Sequence, residues 1–139
     1  MTNFEPKKLN KNWTVEDSIS TYGIDKWGDK YFSINSHGNI SITPNRKSKK
    51  TVDLFKLVKE IKSREINTPL IIRFNDILEG RIAELNNAFS KAIETYDYKN
   101  IYQGVFPIKC NQQKNVLEKI IEYGDHWDFG LEVEVSQNY

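Results

Sequence analysis

The stretch GVFPIKCNQ, Gly104 to Gln112, closes an apolar run on Lys109 and follows it at once with Cys110 and Asn111. A primary amine near low-dielectric surroundings loses its proton more easily, and the free amine attacks a carbonyl to form an imine, as lysines do with pyridoxal phosphate. A lysine that only extends from a strand end into solvent does none of this, and position alone leaves both readings open. Pro107 gives up a backbone donor inside the run, which suggests a local irregularity just before the lysine. Strand alternation turns Cys110 to the opposite side, where a small buried residue is expected rather than a nucleophile. Asn111 either positions the strand end or caps the helix that follows. His37 falls in a turn and His126 in a charged loop, and both read as surface positions.

The elements that would position Lys109 follow from periodicity. Residues 1–12 are polar and read as a loose N-terminus. Residues 13–50 read as a small hairpin region ending in a basic linker. Within them Thr14 suits a helix cap, with the helix running to about Tyr22. Tyr31, Phe32 and Ile34 mark one strand, Ile40 and Ile42 a second, and NSHGN between them has turn chemistry, with Gly38 free to take positive φ. NRKSKK, 45–50, lacks interleaved aromatics and reads as a solvated connection rather than a nucleic-acid patch. From 51 onward the pattern changes. Leu54, Leu57, Val58 and Ile61 give a helix from about Thr51 to Glu65. PLIIRF is a strand, and Asp76 with Glu79 has capping-box spacing for a helix that buries Ile77, Ile82, Leu85, Phe89 and Ile93. IYQGVFPI is the next strand. Asn111 or Asn115 opens a helix with Val116, Leu117, Ile120 and Ile121 inward and Gly124 at its C′ position. WDFGLEV is one more strand. The order strand, helix, strand, helix, strand argues for a parallel sheet or the start of a barrel. Such folds put their chemistry at the C-terminal ends of strands, where Lys109 falls.

Composition narrows the class. The chain has 139 residues, the size of one domain, and a formal net charge of +1. That balance gives no global field favouring nucleic acid or a membrane surface. No apolar stretch is long enough to span a bilayer, and MTNFEPKKLNKNW lacks the apolar core of a signal peptide. Cys110 is the only cysteine, which excludes an internal disulfide and a cysteine-based zinc cage. The cytoplasm is the simplest location.

Several motifs, dispersed but in order, carry a resemblance. Tyr22, Ile24, Trp27-Gly28, Tyr31-Phe32, Ile34-Asn35, Gly38, Ile40 and Pro44 are followed by Val52-Asp53-Leu54 and Leu57-Val58. PLIIRFNDILEGRIAELNNAF, FPIKCNQ and a GLEV strand come next. Over residues 13 to 133 this resembles the biosynthetic arginine decarboxylase family, pyridoxal-phosphate enzymes of fold type III with an alanine-racemase-like barrel. The resemblance implies an α/β fold in which an N-terminal hairpin region leads, from 51 to 139, into the first βαβαβ part of an incomplete (β/α)₈ barrel. It implies a lyase that converts L-arginine to agmatine and carbon dioxide in polyamine (spermidine) biosynthesis. Lys109 would hold pyridoxal phosphate covalently and be the catalytic lysine, and Glu132 would lie beside the lysine and cofactor. For Glu132 a strand-end glutamate facing water remains the alternative. Magnesium is associated with the family, but the resemblance assigns no metal ligand in this chain. The family forms homo-oligomers, with neither nucleic acid nor membrane as a partner.

The chain departs from the family after Val133. It reads EVSQNY where the family continues with a small-residue segment into another helix. It therefore reads as an N-terminal piece of such an enzyme, expected to be inactive by itself. A non-catalytic interaction module and a remnant of a disrupted gene are the competing readings.

Overall fold

The computed structural model describes residues 12–46 and 49–134. The N-terminal segment expected at 1–12 therefore lies, but for its last residue, outside the described residues. The chain divides into two compact units, Met1–Ile71 and Ile72–Tyr139.

In the first unit, helix α1 (Val15–Tyr22) starts where the Asp17 amide donates to the Thr14 hydroxyl at 3.2 Å and the Thr14 amide donates to the Asp17 carboxylate at 2.9 Å. This capping box satisfies two amides that the helix itself leaves without acceptors. A short helix, α2 (Ile24–Trp27), leads to strands β1 (Phe32–Ile34) and β2 (Ile40–Ile42). They pair antiparallel in the register Phe32↔Ile42 and Ile34↔Ile40. In the turn between them Gly38 takes φ 78°, and the Asn35 side-chain oxygen accepts from the amides of His37 and Asn39, each at 3.0 Å.

The hairpin matches its sequence expectation, but a third strand was not legible. Strand β3 (Val52–Asp53) pairs antiparallel with β2 and completes a sheet of order β1-β2-β3. Two residues carry no periodicity to read. Helix α3 (Leu54–Ser63) is shorter at both ends than expected, because Val52 and Asp53 belong to the sheet and Asp53 is its cap. Since β3 bonds to β2 and α3 packs on β2, the unit holding the hairpin extends past the division expected at 50/51, to Ile71. The basic linker is also less free than expected. The Arg46 guanidinium lies 4.1 Å from the centre of the buried Tyr31 ring and pairs with the Asp29 carboxylate at 2.5 Å. Lys47 and Ser48 fall outside the described residues.

The second unit is helical with a small parallel sheet. Residues 70–74, the core of the expected PLIIRF strand, form no ladder among the described residues. Helix α4 (Asn75–Thr95) follows directly, with extended Phe74 as its cap residue and no side-chain cap bond. The capping box expected from Asp76 and Glu79 is therefore not made. The expected apolar stripe is also rotated. Ile82 and Asn86, one helical turn apart, are buried, whereas Leu85 and Phe89 remain 43% exposed. Asn86 tolerates burial because its amide donates to the Ile82 carbonyl at 2.8 Å.

Strand β4 (Val105–Pro107), helix α5 (Lys114–Gly124) and strand β5 (Gly130–Glu132) complete the unit. The two strands run parallel, with Val105↔Gly130, Phe106↔Leu131 and Pro107↔Glu132 in register. Helix α5 packs on α4 and on β5. It buries Ile120 fully and leaves Ile121 exposed, where both were expected inward. Gly124 is not a left-handed C′ residue. It is the last residue of α5, with φ −87°, and its role is close approach: an added Cβ would lie 2.6 Å from the Phe129 Cβ. The Phe129 ring lies tighter still against Gly104, so one aromatic side chain is seated against two glycines.

The architecture is mixed α/β with a three-stranded antiparallel sheet and a two-stranded parallel sheet. The described residues close no barrel. Of the expected βαβαβ order, the described residues form β4-α5-β5 as a parallel unit, while the first strand finds no neighbour to bond.

Candidate functional site

The candidate site lies just beyond the C-terminal ends of β4 and β5. Pro107 ends β4, and the chain then winds through a 3-10 turn, Ile108–Cys110, closed by the Asn111 amide donating to the Ile108 carbonyl at 3.0 Å. The irregularity expected from the proline is this turn, and it carries Lys109. The lysine thus stands between the end of β4 and the start of α5, on the rim where the helix begins. It is exposed. The low-dielectric surroundings expected for it are not built by the described residues, because no element covers the turn.

The turn also corrects Cys110. A 3-10 turn has no two-sided alternation, and the thiol is exposed rather than buried. Asn111 accepts from the Gln113 amide at 3.0 Å. It therefore shapes the entry to α5, while Gln113 is the cap residue and makes no side-chain cap bond. Neither Asn111 nor Asn115 opens the helix.

Glu132 ends β5 opposite Pro107, which puts it level with the strand end that precedes Lys109 by two residues. It is exposed as well. Side chains alternate along a strand, so Val105, Pro107, Gly130 and Glu132 share one face of the pair, and Phe106 and Leu131 the other. Val105 and Glu132 are exposed on the first of these faces, and Phe106 and Leu131 are half-buried on the second. The structure brings Lys109 and Glu132 to the same end of the same sheet. His37 is exposed in the hairpin turn, and His126 is exposed in a 3-10 turn with its ring edge-on to Trp127 at 5.0 Å.

The most concentrated polar network is elsewhere, in the first unit. The Asp53 carboxylate accepts from the Asn39 amide group at 3.0 Å, the Lys56 backbone amide at 3.0 Å and the Asn35 amide group at 2.9 Å. With the Asn39 bond contributing most, these hold its pKa down at about 2. This residue was missed as a joint. An aspartate immediately before the first position of an amphipathic run was the available signal. Its donors are all structural, so it reads as a clasp between turn and helix rather than a reactive group. Among the described residues no three histidine, cysteine, aspartate or glutamate side chains converge as a metal site. Among the described residues no helix is long and apolar enough to cross a membrane.

A parallel strand pair with a lysine past the end of its first strand defines an α/β protein with an amine at the strand-end rim. The chain is 87% identical over 133 residues to a biosynthetic arginine decarboxylase of Prochlorococcus marinus (strain MIT 9515). It is 84% identical over 133 residues to that of P. marinus subsp. pastoris (strain CCMP1986 / NIES-2087 / MED4) and 50% identical over 132 residues to that of strain MIT 9303. The first two matches cover 96% of this chain, the third 95%. No family model matches. The chain is thus similar to one segment of these relatives, and it spans 20% of their length.

Proposed function

We propose that this chain supplies the cofactor-lysine segment of an L-arginine decarboxylase, with Lys109 as the lysine that holds pyridoxal phosphate. The observation that carries the reading is the position of Lys109 on a turn at the C-terminal end of β4, level with Glu132 of β5, within a sequence 87% identical to an arginine decarboxylase. The residues fit the group: the amine is exposed, and the turn that carries it is fixed by a backbone hydrogen bond. Bound pyridoxal phosphate supplies the electron sink for loss of the arginine carboxylate. Lys109 offers Nζ to the cofactor aldehyde. Glu132, at the end of the neighbouring strand, would lie beside Lys109 and the cofactor. Substrate arginine, product agmatine and a carboxy-lyase reaction of polyamine synthesis follow from the same reading, as do a cytoplasmic location and a homo-oligomeric whole enzyme. Magnesium is not given ligands, because no converging set exists among the described residues.

The isolated chain is inactive on this reading, since the described residues leave Lys109 uncovered. The decisive experiment incubates the purified chain with pyridoxal phosphate, reduces with borohydride and maps the modified peptide. Modification is expected to concentrate on Lys109. Labelling concentrated on another lysine, or spread evenly over the surface lysines, overturns the assignment.

A further inference from the structure

The second unit contains a cavity of about 330 Å³ that the candidate site does not use. Helix α4 supplies Asn86, Ile93 and Glu94 to its wall, the segment that leads into β4 supplies Ile101 and Tyr102, and the turn before β5 supplies Trp127. Both segments precede their strands, and the strands run parallel, so the cavity lies at the opposite end of the pair from Lys109. Its volume is within the range of small-ligand sites.

The chemistry of the wall selects a ligand. Asn86 is only 2% exposed, and its amide nitrogen donates to the Ile82 carbonyl. Its Oδ1 accepts from no donor among the described residues. A side-chain oxygen this deep keeps a protein partner unless it opens onto space that a ligand or water fills, and the cavity that Asn86 lines is that space. Glu94 lies two helical turns along the same face of α4, and its carboxylate makes no ion pair among the described residues. Tyr102, its ring held parallel to that of Phe89 at 3.8 Å, and Trp127 add π faces, while Ile93 and Ile101 add apolar surface. No lysine, arginine or histidine among the described residues lines the cavity. Free acceptors and one negative charge call for a donor that carries one positive charge, and aromatic faces attract the same charge. We propose that this cavity binds a small primary alkylammonium ion. The nitrogen donates to Asn86 Oδ1 in the field of Glu94, and the alkyl chain lies against Ile93 and Ile101. The site rests neither on Lys109 nor on the reaction proposed above.

The test titrates the full 139-residue chain, isotope-labelled for NMR, with n-butylammonium chloride and separately with n-butanol, its neutral counterpart, at constant ionic strength. Saturable shifts are expected at the Asn86 side-chain amide and the Trp127 indole N–H, with the alcohol bound roughly tenfold more weakly or worse. Asn86→Leu, which keeps the volume and removes the acceptor, should weaken n-butylammonium binding about tenfold, read at Trp127. Glu94→Gln, at an exposed helix position, should weaken it about threefold. Circular dichroism checks both variants, and Glu94→Gln alone decides if Asn86→Leu loses helix content. No saturable shift, which means a cavity holding water only, overturns the proposal. So do equal affinity for the alcohol, shifts centred away from the cavity, and an affinity that Glu94→Gln leaves unchanged.

Discussion

At the scale of single residues, Lys109 and Asp53 behave oppositely. Lys109 is exposed on a turn with no described element over it, whereas the Asp53 carboxylate is fully occupied by three donors. Lys109→Ala is expected to leave folding unchanged, read by circular dichroism, while reducing borohydride-fixed cofactor to the level of the other lysines. Asp53→Ala should destabilise the first unit, because the Lys56 amide and the side chains of Asn35 and Asn39 lose their common acceptor. The same group gives a pH dependence. Its folded pKa of about 2 lies below the ordinary 3.8, so its contribution to stability is complete above that ordinary value and is lost as pH falls towards 2. Urea midpoints measured between pH 5 and 2 should fall more steeply in the parent chain than in Asp53→Asn. Parallel profiles would show that the carboxylate does not hold turn and helix together.

At the scale of elements, glycines limit what the second unit accepts. Gly124→Ala puts a methyl group against Phe129, an overlap worth about 1–3 kcal/mol of stability. Ile120→Ala, which empties a site 1% exposed, should cost about 2–5 kcal/mol. Both are read from urea unfolding. This is also the scale at which the sequence was most legible. The Thr14 cap, the β1-β2 hairpin and the β4-α5-β5 order all follow from local chemistry and hydrophobic period, and the structure has each of them. The failures have a common cause in tertiary partners. PLIIRF has the composition of a strand, but a strand exists only where a neighbour bonds to it. The α4 stripe was read from apolar type alone, and Asn86 took a core position because it satisfies its own amide along the helix. Lys109 was placed at the correct strand end, yet its exposure depends on what covers the turn, and nothing in a heptapeptide reports that.

At the scale of the whole molecule, the two units differ in how much they finish by themselves. The first buries Ile24, Tyr31 and Ile42 between a three-stranded sheet and the three helices that pack on it, and the second leaves its parallel pair open at both edges among the described residues. The purified chain is accordingly expected to release no carbon dioxide from carboxyl-labelled arginine at saturating pyridoxal phosphate. Cofactor-dependent release by the chain alone would show that its own residues suffice. Phe129 has a consequence for how the second unit breathes. Its ring abuts the glycine that precedes β4 and the glycine that ends α5, its own amide donates to Gly124, and the next amide, of Gly130, donates to Gly104. Deuterium uptake at the Phe129 and Gly130 amides should therefore proceed at one shared rate, since neither hydrogen can reach water until the ring has left both backbones.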